Sequence, residues 1–266
     1  MDAGNRERLE RGSAAVVVLA GPGLIPAILV NALATAFPGR VTVIEETPLS
    51  PFALARRRAR RLGWIAALGQ LATSIVSRLT KTFAQARSQA ILSAYGHAAE
   101  RNRDVPVIRV RSVNDDATHE AIARLQPAAV LTVACRLLTK KTLSRIPCPI
   151  INFHGGINPA YRGQMGGYWA LAAGDRDNFG CTIHLVDSGV DTGATLYDVR
   201  LQPDPADTMA TYPLLLAAAG AEKTVQAVQD ALSGTLKPFE PARPSRMHYP
   251  PTLWRWLWNG LSRGVW

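Results

Sequence analysis

The stretch from Ala14 to Glu46, AAVVVLAGPGLIPAILVNALATAFPGRVTVIEE, constrains the fold more than any other part of the chain. Ala14 to Ala20 is a Val-rich apolar run, as expected of a strand buried on both faces. Gly21, Pro22 and Gly23 break it, and Leu24 to Phe37 is apolar nearly all round, as expected of a buried helix. Arg40 to Glu46 then alternates well enough for a second strand. Strand, helix and strand with short joints favour a right-handed crossover and parallel pairing, the opening unit of a doubly wound α/β sheet. The alternative is a membrane-spanning helix, because only Asn31 is clearly polar between Ala14 and Phe37. The early Gly and Pro residues argue against it.

The same reading extends down the chain. Val105 to Val110, Ala128 to Ala134 and Cys148 to His154 read as further strands. Asn114 to Leu125 is a helix with acids in its first turn, where they suit the helix dipole, and TKKTLSRI is a short helix. Gln164 to Gly174 is a short helix closed by its glycine. Gly180 to Asp187 and Gly193 to Gln202 form a strand pair joined through SGVDT, and an Ala-rich helix spans about Thr208 to Leu232. Ser50 to Glu100 shows no strand and reads as two or three helices. The expected organisation is therefore an extension over 1–13, one catalytic domain over 14–232 with a helical insertion at about 50–100, and a Pro/Trp-rich tail over 233–266. The expected class is α/β with a mostly parallel, twisted sheet.

Charge is distributed unevenly. The chain carries a net +10, and residues 51–111 hold twelve basic residues against two acids, Glu100 and Asp104, which accounts for all of it. Any anionic partner should meet the protein there. Cys135, Cys148 and Cys181 lie in or beside apolar runs without CxxC spacing and read as buried, reduced thiols of an intracellular protein. The amino terminus, MDAGNRERLERGS, is too charged to open a secretory signal, so a cytoplasmic location is expected.

The chemistry concentrates in NFHGGINPAYRG, Asn152 to Gly163. Asn152 and His154 share one face at the end of a buried strand, where ligands of α/β sheets commonly sit. A lone His at such a place is more often structural. The second segment, HLVDSGVDTGATL, adds Asp191 in a Gly-flanked loop. An amide that can donate to an oxyanion, an imidazole that can shuttle a proton and a carboxylate make a usable set. No strained Ser elbow, exposed Cys or metal-ligand spacing accompanies them, so direct acyl transfer between two bound substrates suits the set best.

Together these segments resemble the catalytic core of the formyltransferases that use 10-formyltetrahydrofolate. The shared positions are Asn152, His154, Pro159, Tyr161, Arg162, Gly163, Gly180, Thr182, His184, Asp191 and Gly193. The resemblance covers about Ala128 to Gln202 well and the first strand and helix loosely, and implies a Rossmann-like formyltransferase fold. It further implies attack of an amine on the formyl carbon, an oxyanion held by Asn152 and a protonated His154, and a carboxylate at Asp191 that keeps the imidazole charged. Folate would lie against Arg136, Leu137, Leu138, Val190, Asp191 and Gly193. The acceptor would lie against Gly155, Gly156, Ile157, Asn158, Tyr161 and Arg162, with Thr182 and His184 in support and no metal.

Departures narrow the acceptor. Gly155-Gly156-Ile157-Asn158 replaces a loop usually rich in Ser and Leu. GPGLIP lacks the Ser and Asn of the phosphate cradle in the ribonucleotide enzymes, and Pro22 and Pro26 remove backbone donors. Only 34 residues follow Leu232, too few for the carboxy-terminal barrel of the tRNA enzymes. The expected acceptor is thus an amino sugar or another small natural-product amine, with nucleic acid disfavoured because no aromatics interleave with Arg56 to Arg61. The alternatives are a 10-formyltetrahydrofolate hydrolase, and a non-catalytic folate-binding or membrane-associated protein. The hydrolases of the family carry a domain before the core, whereas about a dozen residues precede the first strand here. Arg56 to Arg61 admits binding to a phosphate-bearing acceptor, nucleic acid or an anionic membrane, or a solvated helix face. The Trp254 to Trp266 tail admits packing onto this domain or a twin subunit as a homodimer, or a peripheral contact with the membrane surface.

Overall fold

The computed structural model describes residues 15–79, 82 and 84–266. The expected extension over 1–13 lies outside the described residues, as does Ala14. Seven strands form one sheet: β1 (Val16–Ala20), β2 (Val41–Glu46), β3 (Val107–Val110), β4 (Ala129–Val133), β5 (Ile150–His154), β7 (Gly180–Leu185) and β8 (Thr195–Arg200), in the order β3-β2-β1-β4-β5-β7-β8. The first five are parallel, whereas β7 runs antiparallel to β5 and β8 antiparallel to β7. The strand order reverses between β1 and β4, both central and both buried throughout. A crevice at the carboxyl ends of these strands is where such a sheet binds ligands.

Alternation along β1 divides the core. Val16, Val18 and Ala20 pack on one face with α1 (Leu24–Ala36) and α8 (Tyr212–Ser233). Val17 and Leu19 pack on the other with α5 (Asp116–Leu125) and the short α6 (Lys140–Leu143). The one polar residue of the apolar amino-terminal stretch has a structural use. Asn31 of α1 donates to the carbonyl of Glu100 and accepts from the Asn102 amide, fastening the end of the insertion to the sheet domain.

Among its described residues the insertion holds three helices: α2 (Pro51–Leu62), α3 (Trp64–Leu79) and α4 (Gln85–Ala94). Ser50 caps α2 by accepting from the Ala53 amide. The chain turns from α2 into α3 at Gly63, whose φ of 84° other residues rarely adopt.

The tail is folded onto the domain. β9 (Met247–His248) pairs with β6 (Arg162–Gly163), directly after the Asn152–His154 segment, and α9 (Leu253–Arg263) packs on α3. Trp254, Trp256 and Trp258 therefore sit on a helix. Trp256 turns toward the core, while Trp254 and Trp258, four residues apart, share the outer side.

Candidate active site

Register brings the chemistry together. β5 and β7 pair so that Asn152 faces His184 and His154 faces Thr182. Asp191 lies in the turn between β7 and β8 at φ 51°, a left-handed conformation that Asp tolerates better than most residues. Its carboxylate is fixed by the Gly163 amide, which donates to Oδ2 at 2.9 Å. Arg162 steadies the same turn through the Val190 carbonyl at 3.3 Å. The expected set of Asn152, His154 and Asp191 converges: Asn152 Nδ2 is 3.4 Å from Asp191 Oδ1, and His154 Nδ1 is 3.5 Å from Asp191 Oδ2.

His184 belongs inside this cluster. Its Nδ1–H donates to the Leu185 carbonyl at 2.7 Å, which leaves Nε2 to accept from Asn152 Nδ2 at 3.0 Å. Nε2 also lies 3.5 Å from Asp191 Oδ1. The two imidazoles thus flank one carboxylate, their rings 6.3 Å apart and nearly edge-on. Burial alone would push the Asp191 carboxyl up, but the His154 ring, the neighbouring His184 imidazole and the Gly163 amide outweigh it and hold the pKa at about 2.

His154 departs from expectation. Its Nε2–H donates to the Tyr161 carbonyl at 2.8 Å, and the ring is only 6% exposed. Burial lowers its pKa more than Asp191 and the Tyr161 carbonyl raise it. The resting ring is therefore neutral rather than held charged. With Nε2 occupied, the atom left to take a proton is Nδ1, and it faces Asp191.

Sequence reasoning gave no sign of Thr132. Its hydroxyl donates to Asn152 Oδ1 at 2.8 Å and so sets which way the amide points. None of the three thiols suits a nucleophile. Burial pushes Cys135 to about 12, Cys148 to about 11 and Cys181 higher than its ordinary value.

These groups stand at the wall of a cavity of about 810 Å³, a size that suits a cofactor together with a small substrate. Arg136, Leu137, Leu138, Val190 and Asp191, the residues expected against folate, border it. The Arg136 guanidinium is itself engaged, donating to Glu46 at 2.8 Å and to the carbonyls of Arg111 and Thr47, so it braces its loop. Gly193 does not border the cavity. A Cβ there would lie 1.8 Å from the Leu185 carbonyl, so the glycine serves the close approach of β7 and β8.

Of the residues expected against the acceptor, Gly155 borders the cavity, and Gly156, Ile157, Asn158, Tyr161 and Arg162 do not. Ile157 is core, Tyr161 donates to Asp175 at 2.7 Å, and the Asn158 amide donates to Thr182 at 3.0 Å. They build the loop beneath the wall.

A further part of the wall comes from the insertion and the tail. Leu54, Arg57, Arg58 and Arg61 of α2 border the cavity, at the spacing of one helix face. So do His248 and Tyr249 of the tail, with His248 stacked between Tyr161 and Trp169 at 5.4 and 5.5 Å. One signal was available for α2: it follows the carboxyl end of β2, at the sheet edge where ligands bind.

The fold is thus a Rossmann-like sheet with an amide, two imidazoles and a carboxylate gathered at its ligand edge. Residues 70–228 match the family described as Formyl transferase. The methionyl-tRNA formyltransferase of Anaeromyxobacter dehalogenans (strain 2CP-1 / ATCC BAA-258) is 36% identical over 153 residues, 57% of this chain and 49% of that protein. Among solved structures, phosphoribosylglycinamide formyltransferase from Anaplasma phagocytophilum shares the fold at a TM-score of 0.56 and 18% identity, over 89% of this chain and 100% of that one. An N-formyltransferase from Helicobacter canadensis, solved with folinic acid and dTDP-3-aminofucose, does so at 0.54 and 13%, over 87% and 70%. The chain belongs to the formyl transferase family, and it spans about half the length of the methionyl-tRNA formyltransferases it matches.

Proposed function

We propose that the protein is an N-formyltransferase that moves a formyl group from 10-formyltetrahydrofolate to an amine, either an amino sugar or another small natural-product amine. The observation that carries this reading is the meeting of Asn152, His154 and Asp191 at one cavity wall. The cavity fits a folate, since Leu137, Leu138 and Val190 give it apolar wall beside that polar cluster. When bound, the cofactor supplies the formyl group. Asn152 is held at its carbonyl end by Thr132 and donates one amide hydrogen to His184. It offers the other, whose contact with Asp191 is long at 3.4 Å, to an oxygen that gains negative charge. His154 takes or returns a proton at Nδ1, and the ionised Asp191 stabilises that ring while it is charged.

The fold neighbours bear names that span amino sugars and ribonucleotides, and the arginine-bearing wall suits an acceptor that carries an anionic group. The likeness to methionyl-tRNA formyltransferases favours a second reading, in which the amine is that of an aminoacyl-tRNA. The expectation against tRNA rested on where the chain ends, and the relatives reopen it.

The test is a panel of amino sugars, sugar nucleotides, other small amines and methionyl-tRNA, each incubated with 10-formyltetrahydrofolate while tetrahydrofolate release is followed. Release that requires a small amine supports the proposal. Release only with methionyl-tRNA replaces it with the second reading. Release without any amine indicates a hydrolase, and folate binding without release indicates a binding protein.

A further inference from the structure

Helices α3 and α9 are built inside out. The side of α3 that faces the protein carries Ala67, Gln70 and Thr73, with Gln70 and Thr73 donating to the carbonyls of Pro250 and Pro251. The inner side of α9 carries Asn259 and Gly260 beside Trp256, and Asn259 donates to the Tyr168 hydroxyl. The outer sides are apolar. Ile65 and Leu261 are each 78% exposed, Leu68 is 58%, Trp258 is 62% and Trp254 is 54%. The two stripes meet, because a Cβ on Gly69 would lie 2.4 Å from the Trp254 ring. An ordinary surface helix buries its apolar stripe and shows its polar one.

The segments that build this face carry charge of one sign. No acidic residue occurs between Glu46 and Glu100 or after Glu240, whereas those two spans hold eight and four basic residues. On α2, Phe52, Arg56 and Arg60 repeat at intervals of four and are exposed, on a different side from the residues that border the cavity. Arg255 is exposed on α9.

We infer that the α3–α9 face docks on an anionic phospholipid surface, with its tryptophans at the headgroup level and the arginines of α2 and α9 against lipid phosphate. Outward Trp and Leu with arginines and no acids is the composition of an interfacial helix pair. A second copy of the chain fits less well, since pairing two such faces would bring like charges together. The contact is a surface one: among the described residues no helix is long and apolar enough to cross a membrane. Docking does not depend on the identity of the acceptor, so its failure would leave the formyl-transfer reading untouched.

The experiment is co-sedimentation of the full chain with vesicles of phosphatidylcholine, with and without phosphatidylglycerol, and tryptophan emission read alongside. The wild type should bind the mixed vesicles with a blue shift, bind phosphatidylcholine far less, and weaken as salt is raised. Ile65→Glu combined with Leu261→Glu should lower binding about tenfold or more, with circular dichroism and melting unchanged. Should that variant misfold, Arg56→Glu with Arg60→Glu tests the same docking from the charged side and should show the same loss. The inference is overturned if the wild type ignores anionic vesicles, or if correctly folded variants bind as well as it does. It is equally overturned if the wild type is a dimer that does not bind vesicles and the variants make it a monomer.

Discussion

The Thr132 hydroxyl donates to Oδ1 of Asn152 at 2.8 Å, and this contact decides which end of the amide meets Asp191 and His184. β4 and β5 are parallel neighbours with Thr132 opposite Asn152, so the contact follows from strand register. Thr132→Val keeps the shape and removes the donor. Formyl transfer should fall about tenfold, the scale of one misoriented hydrogen-bonding group, while stability changes by about 1 kcal/mol. Turnover kinetics beside a melting curve check the pair of outcomes.

Asn152→Ala and His154→Ala remove the groups themselves. Each should lower kcat/KM by about 10²-fold or more, the usual effect of losing an oxyanion donor or a proton carrier. Folate affinity, measured by fluorescence quenching, should change much less. Full activity in both variants would refute the proposed chemistry.

The parts of this molecule legible in sequence are those whose signal is local. β1, α1 and β2 declare themselves by apolar runs punctuated with Gly and Pro, and α5 by its Asp116 turn. Asn152, His154 and Asp191 stood out because each lies at or just after a strand end. Thr132 did not, because it acts through the residue opposite it on the next strand, and register leaves no mark in either strand alone. His184 was marked only as a supporting position, and its contact with Asn152 comes from the same kind of register. The cavity wall was missed for a similar reason. Arg57, Arg58 and Arg61 form one face of α2, yet nothing local says that the face is covered by the cavity. His248 reaches the site only because residues 247–248 pair with residues 162–163, some eighty positions earlier.

Two groups of the site set the acid response. Asp191, held at about 2, stabilises the fold at any pH above the ordinary carboxylate range and loses that contribution as pH falls from about 4 toward 2. The shift corresponds to about 2 kcal/mol. His154 is lowered by burial, so the unfolded chain binds its proton first, and stability declines as pH drops below about 6.5. Denaturant melts across pH should therefore show loss in both windows. His154→Ala should flatten the upper window, and Asp191→Asn the lower one.

Arg57 and Arg61 lie one turn apart on the cavity face of α2. Arg61 also sits over the Tyr249 ring at 5.8 Å, which ties the insertion to the tail. If the acceptor carries an anionic group, these guanidinium groups are placed to receive it. Arg57→Ala with Arg61→Ala should then raise the acceptor KM about tenfold or more, the scale of one lost charge-assisted contact, while the KM for 10-formyltetrahydrofolate stays near its starting value. A neutral amine, tested in parallel, should show no such penalty. A change confined to kcat, or one shared equally by both substrates, would mean that the arginines shape the cavity without recognising the acceptor.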